Sequence, residues 1–178
     1  MAEKKFPSRM VKLDLPDLAA TETLARFVAH RVGRGDVIGL GGELGAGKTA
    51  FARAFIHARA GDVKEDVPSP TFTLAQIYDL AECPIWHFDL YRLAKAEDAV
   101  ELGIEDAFAD GVSLIEWPGR LGPLLPRDRL DILLTQEGVS ANARHAVLVG
   151  HGSWAMRLEA LEAADALAAF KAGAVVDD

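Results

Sequence analysis

Residues 42–49 read GELGAGKT, a full match to the pattern GxxxxGK[ST], and their flanks are what such a loop needs to work. DVIGLG before them is a short apolar run suited to a buried strand, and FARAFIHARA after them is helix-compatible. A strand, a glycine turn and a helix start in that order aim backbone N–H groups at a phosphate chain. Lys48 then reaches the terminal phosphates, and the Thr49 hydroxyl is left for Mg²⁺. The loop therefore predicts a nucleoside triphosphate site on an α/β domain.

At 178 residues and 50% hydrophobic content, the chain is long enough for one domain with a sizeable core. Its 19 basic and 27 acidic residues leave a net charge of -8, which argues against a free-standing nucleic-acid binder. The single cysteine, Cys83, excludes an internal disulfide and fits a reducing compartment. The N-terminal MAEKKFPSRMVKL has no apolar core of signal-peptide length, and no apolar run approaches a membrane span. The expectation is a cytoplasmic protein with no membrane role.

Along the chain, MVKLDL reads as a first strand. Asp17 is a candidate cap for a helix over 18–32, which Gly33 and Gly35 stop. Gly61 ends the helix after the loop, and the proline-bearing link DVKEDVPSPT cannot be helical at its centre. TFTLAQIY (71–78) and IWHFDLY (85–91) are rich in β-branched and aromatic residues and read as an antiparallel hairpin. Residues 95–109 are helix-compatible with a break at Gly103. VSLIE is a continuous apolar strand ending at an acid, and RLDILLT and RHAVLVG are two further strands. Ser153 is a candidate cap for a last helix over 154–170, followed by a frayed tail over about 171–178. The expected fold is one α/β P-loop domain over 1–178: a mixed sheet with a central parallel part and an antiparallel hairpin, with helices on both faces.

Hydrolysis or transfer needs an acid that fixes Mg²⁺ and a group that responds to the γ-phosphate. Two acids compete for the metal. Glu116 ends VSLIE at the carboxyl tip of a strand, and Asp89 lies in IWHFDLY, where alternation puts Trp86, Phe88 and Leu90 on one face and His87, Asp89 and Tyr91 on the other. Ser69, Thr71 and Thr73 occupy the position at which many P-loop proteins carry a segment that closes on the γ-phosphate. Trp117 follows Glu116 directly, which places its ring either at the rim of the nucleotide site or in the core. His30, His57, His145 and His151 receive no role.

SPTFTL, HFDLYRL, ELGIEDAF and LIEWP, in that order after GELGAGKT, resemble the TsaE family, also called YjeE, over essentially the whole domain. The resemblance implies a bacterial ATPase needed for threonylcarbamoyladenosine in tRNA, working with a TsaD–TsaB pair that performs the transfer and holds most of the tRNA. It implies ATP and Mg²⁺ as ligands. The phosphates would lie along Glu43, Leu44, Gly45, Ala46, Gly47, Lys48, Thr49 and Ala50, with Thr49 and Glu116 on the metal and Trp117 near the nucleotide. It further implies Lys48 and Asp89 as groups needed for activity and Thr71 as the hydroxyl of a switch loop. ATP hydrolysis would then reset the partner complex between cycles, because the adenylate-forming step belongs to another enzyme.

A guanine-reading NKxD element is excluded, since the one asparagine, Asn142, precedes Ala143. A small-molecule kinase is the alternative the residues leave open. Such kinases carry a mobile lid with several arginines, and the one tight arginine cluster here is Arg127 with Arg129.

Overall fold

The computed structural model describes residues 7–61, 66–136 and 141–171. Seven strands form one sheet in the order β1-β7-β6-β2-β5-β4-β3: β1 (Ser8–Leu15), β2 (Val37–Gly41), β3 (Ala75–Tyr78), β4 (Ile85–Asp89), β5 (Val112–Glu116), β6 (Arg129–Thr135) and β7 (Arg144–His151). The four central strands β6, β2, β5 and β4 run parallel, and β7, β1 and β3 pair antiparallel at the two flanks.

Period-two alternation divides the strand side chains between two cores. Ile38, Leu40, Leu114, Leu130 and Ile132 face the larger one, which also takes α1 (Leu18–Ala29), α2 (Lys48–Ala60) and the Trp154 and Leu158 side chains of α4 (Ser153–Ala163). Val37, Phe88 and Ile115 face the other, with Ile104 and Ala107 of α3 (Ile104–Asp110) and Leu121 of a 3-10 segment, Pro118–Leu124. Helices therefore lie on both faces, as the sequence pattern predicts.

Local chemistry sets the boundaries and, in places, moves them from their expected positions. Asp17 caps α1 by accepting the Ala20 N–H at 2.8 Å, and the helix closes at His30, short of Val32. The stretch from Thr71 to Thr73 is a turn, so β3 begins only at Ala75; the prolines at 68 and 70 brace a loop instead of starting a strand. The segment from 95 to 109 divides into a 3-10 turn, Ala96–Ala99, and α3, separated at Gly103 with φ 80°. The last helix is shorter than its pattern: α4 ends at Ala163, Asp165 takes φ 54°, and a separate 3-10 turn covers Ala168–Phe170. Ser153 is not its cap. Gly152 stands at that position, and the Asp128 carboxylate accepts both the N–H and the hydroxyl of Ser153, at 3.0 and 2.8 Å. Residues 172–178 of the expected tail lie outside the described residues.

Phe51 and Phe55 of α2 are fully buried in the larger core, so the helix that begins at Lys48 is anchored by apolar contact behind it. Phe55→Ala is expected to destabilise the fold by about 3–5 kcal/mol through lost burial and a cavity that does not collapse. Equilibrium urea denaturation checks this, and a loss under about 1 kcal/mol would show that the helix is held mainly by other contacts.

Candidate nucleotide site

Between β2 and α2 the chain turns through three glycines with positive φ: Gly42 at 130°, Gly45 at 79° and Gly47 at 103°. Two causes require glycine here. These backbone angles disfavour a Cβ, and one on Gly42 would stand 2.3 Å from the Leu134 carbonyl oxygen. The turn delivers the chain to the start of α2, whose first N–H groups lack intrahelical acceptors and carry the positive end of the helix dipole. Arg144, the first residue of β7, fastens the loop from outside, donating to the carbonyls of Ala46 at 2.9 Å and Gly45 at 3.1 Å. With these carbonyls engaged and the Ala46 N–H donated to the Glu43 carbonyl, the loop's remaining N–H groups are the ones left for an anion.

Lys48 is 5% exposed, and its Nζ donates to the carbonyls of Gly42 and Glu43, each at 2.7 Å. Burial pushes its ammonium below the usual lysine range, against the opposing pull of Glu116, Asp89 and Glu43. The Trp117 ring centroid lies 4.2 Å from the same Nζ, a cation–π contact, and the Tyr91 ring lies 5.0 Å from that of Trp117. Trp117 holds φ 60° and ψ 50°, a left-handed conformation uncommon outside glycine, and its N–H donates to the Leu40 carbonyl. That backbone turn swings the indole from the strand end to the mouth of the cleft.

The two acids stand side by side because parallel register pairs Asp89 with Glu116 and Glu116 with Leu40, the three carboxyl-terminal positions nearest the loop. Their partners differ. The Thr49 hydroxyl lies 3.1 Å from both oxygens of Glu116, and Nε2 of His87 lies 2.9 Å from Oε1. Asp89 instead receives the hydroxyls of Ser69 and Thr71 on Oδ2, at 2.8 and 3.1 Å, and the Tyr91 N–H on Oδ1 at 3.1 Å. Asp89 thus fastens the proline-braced loop, while Glu116 is fastened to the phosphate-loop helix.

These groups line an open cleft of about 340 Å³, with Leu44 and Trp117 at its sides and Lys48, Thr49, Glu116 and Asp89 at its polar end. An ammonium and a helix N-terminus fit phosphate, and a hydroxyl beside a carboxylate supplies the oxygen donors that Mg²⁺ takes together with phosphate oxygens. Of the predicted site residues, Glu43, Leu44 and Gly45 are exposed at the loop tip, Ala46 is buried beneath it, and Ala50 lines the cleft from α2. Thr73 is exposed, outside the Ser69–Thr71–Asp89 contact. His145 and His151 are held on the sheet by Asp14 and Asp131.

Two residues of the site were missed. Arg144 stands 98 positions along the chain from Ala46, and no sequence signal connects them. His87 had a signal, since alternation puts it on the Asp89 face, but a histidine in a strand is usually a packing residue.

Comparison with known proteins agrees with the motif resemblance. A family model for the threonylcarbamoyl adenosine biosynthesis protein TsaE matches residues 15–146. The TsaE protein of Rickettsia felis is 35% identical over 143 residues, covering 80% of this chain and 82% of its own. That of Bacillus subtilis is 36% identical over 119 residues, 66% of this chain and 73% of its own. The crystal structure of Bacillus subtilis YdiB superposes with a TM-score of 0.72 at 30% identity, covering 89% of this chain and 98% of that one.

Lys48→Ala is expected to weaken ATP binding roughly 10- to 100-fold, the worth of one charge-assisted contact, with the fold retained. Binding of ADP or ATP is also expected to change tryptophan fluorescence, with most of the change lost in Trp117→Phe and kept in Trp86→Phe. Titration calorimetry and fluorimetry read these outcomes, and wild-type affinity in the Lys48 variant would overturn the assignment of the cleft.

Proposed function

The chain belongs to the TsaE family, and from that membership and its cleft geometry we propose that it is a Mg²⁺-dependent ATPase of tRNA threonylcarbamoyladenosine biosynthesis, acting with a TsaD–TsaB pair. One observation carries the reading: the Thr49 hydroxyl and the Glu116 carboxylate meet at 3.1 Å at the start of α2, in the cleft that Lys48 lines. A triphosphate laid on the loop N–H groups would place its terminal phosphates at Lys48. Thr49 and Glu116 would hold the Mg²⁺, which when bound neutralises charge on the phosphate oxygens.

Asp89 and the Ser69–Pro70–Thr71 turn have a separate part. The carboxylate holds both hydroxyls of that turn, so a change at the γ-phosphate can be passed to the loop through Asp89. Next to Thr71, Phe72 is 84% exposed, and Leu44, which lines the cleft, is 68% exposed. Large apolar side chains exposed on and beside the loops of a nucleotide site suit docking by a protein partner. Among the described residues, Lys48 is the one lysine or arginine that lines the cleft, and stabilising a transferring phosphoryl usually takes a further cation or a closed switch segment. Slow turnover alone and faster turnover with the partner complex follow from that deficit.

The net charge of -8 supports a tRNA held mainly by the partners. Among the described residues no helix is long and apolar enough to cross a membrane. A part in tRNA modification would place the protein in the cytoplasm, where the tRNA is.

Glu116→Ala is expected to raise the Mg²⁺ concentration needed for ATP binding, and Asp89→Ala to spare binding and lose turnover; reversed behaviour would exchange the two roles. Thr71→Ala is expected to cut partner-dependent turnover and tRNA modification at least roughly tenfold while changing ATP affinity of the isolated chain less than about twofold, since it removes a switch-loop contact and leaves the phosphate contacts intact. A reconstituted modification assay alongside calorimetry decides this, and full modification by the Thr71 variant would reduce the loop to a structural turn.

A further inference from the structure

His87 is buried completely, 0% exposed, on the sheet face covered by α2. Its parallel neighbour is Leu114, itself registered with Ile38, so the imidazole sits in an apolar layer one step beneath the acids. An imidazole at such a depth needs a compensating partner. It has one: Nε2 lies 2.9 Å from Oε1 of Glu116, while Nδ1 is shut away from solvent with no hydrogen-bond partner among the described residues.

That asymmetry fixes the tautomer. A hydrogen on Nδ1 would bury an N–H with no acceptor and turn the lone pair of Nε2 toward a carboxylate. A hydrogen on Nε2 donates to Oε1 and leaves on Nδ1 only a lone pair, the cheaper group to bury. Glu116 is 2% exposed and is reached by His87 from the sheet and by Thr49 from the first turn of α2. Without the imidazole, Oε1 would lose its donor on the sheet side, and among the described residues a glutamate with three rotatable bonds would have only Thr49 to orient it.

We infer that His87 is a positioning residue: its Nε2–H holds Oε1 of Glu116 from one step down the same sheet face, so that the carboxylate stays turned toward the Thr49 hydroxyl and the two meet a divalent cation already in place. The inference rests on the reading that Thr49 and Glu116 hold Mg²⁺, and it is the arrangement by which hydrogen-bonding partners outside a metal site commonly orient its carboxylates.

The experiment compares the full chain with His87→Leu, which fills the apolar space without a donor, and His87→Gln, whose amide N–H₂ reaches about as far as Nε2. ATP affinity is measured by calorimetry in EDTA and across a Mg²⁺ series. His87→Leu is expected to raise the Mg²⁺ concentration for half-maximal enhancement roughly 10- to 100-fold, with metal-free ATP affinity within about twofold of wild type, and His87→Gln to restore most of the loss. A His87→Leu variant with wild-type Mg²⁺ dependence, or one weakened equally with and without metal, overturns the inference. A wild-type chain whose ATP binding ignores Mg²⁺ overturns the metal reading itself, and this inference with it. Should a variant not fold, the long-range ¹H–¹⁵N spectrum of the wild-type imidazole decides: hydrogen on Nε2 with a shift on adding Mg²⁺ and ADP supports the role, and hydrogen on Nδ1 or no response to Mg²⁺ overturns it.

Discussion

Parallel pairing of β2, β5 and β4 in register is the constraint from which the site follows. It sets Leu40, Glu116 and Asp89 abreast at the carboxyl ends of three strands, so the loop leaving β2 passes directly over two carboxylates. A shift of one residue in β4 would turn Asp89 to the face of Phe88 and bring neither acid pair nor His87 to the cleft. Register is held by burial on both sheet faces: Phe88 and Ile115 on one side, Ile85 and Leu114 on the other, all inaccessible to solvent. Sheet packing with no role in chemistry thereby fixes the chemistry to a fraction of a strand repeat.

Within this frame the charges are arranged so that none is stranded. Lys48 is desolvated, yet it lies within the field of Glu116 and Asp89, donates to two carbonyls and lies against the Trp117 face. On the proposed reading, a buried ammonium held by carbonyl acceptors would trade them for phosphate oxygens, which are stronger partners. Arg144 does the opposite. Its guanidinium is spent on the loop backbone, where fixed-fork geometry suits two carbonyls, so it shapes the cradle and is not free to enter it.

The parts of this architecture legible in the sequence are those governed by local rules. GELGAGKT, the alternation in IWHFD and the apolar run ending in Glu116 each encode their structure within a few residues, and each element forms where its pattern lies. Legibility fails where a distant partner sets the outcome. Ser153 has the chemistry of a cap, but Asp128, 25 positions away, takes its N–H and hydroxyl and moves the helix start. The last helix keeps its alanine and leucine pattern through Phe170, and the chain breaks it at Asp165 so that Leu167 and Phe170 reach the larger core. In the site, Lys48, Thr49 and Glu116 were readable from motif chemistry, whereas the anchoring of the loop by Arg144 depends on the β6–β7 pairing and has no local trace.

The two carboxylates are chemically alike, and their neighbours make them different. Asp89 has three donors from its own loop and strand end, on both of its oxygens, so moving any group toward it means breaking a contact that holds the Ser69–Thr71 turn. Glu116 has its donors on the sheet and helix sides and, among the described residues, none from the Ser69–Thr71 turn. If Glu116 holds the proposed cation, that cation would touch none of the contacts that hold the loop, whereas a group drawn to Asp89 would compete with them. On the proposed reading, binding and switching would be separated between adjacent residues 27 positions apart in sequence, which would let nucleotide affinity and the response to the γ-phosphate be tuned independently.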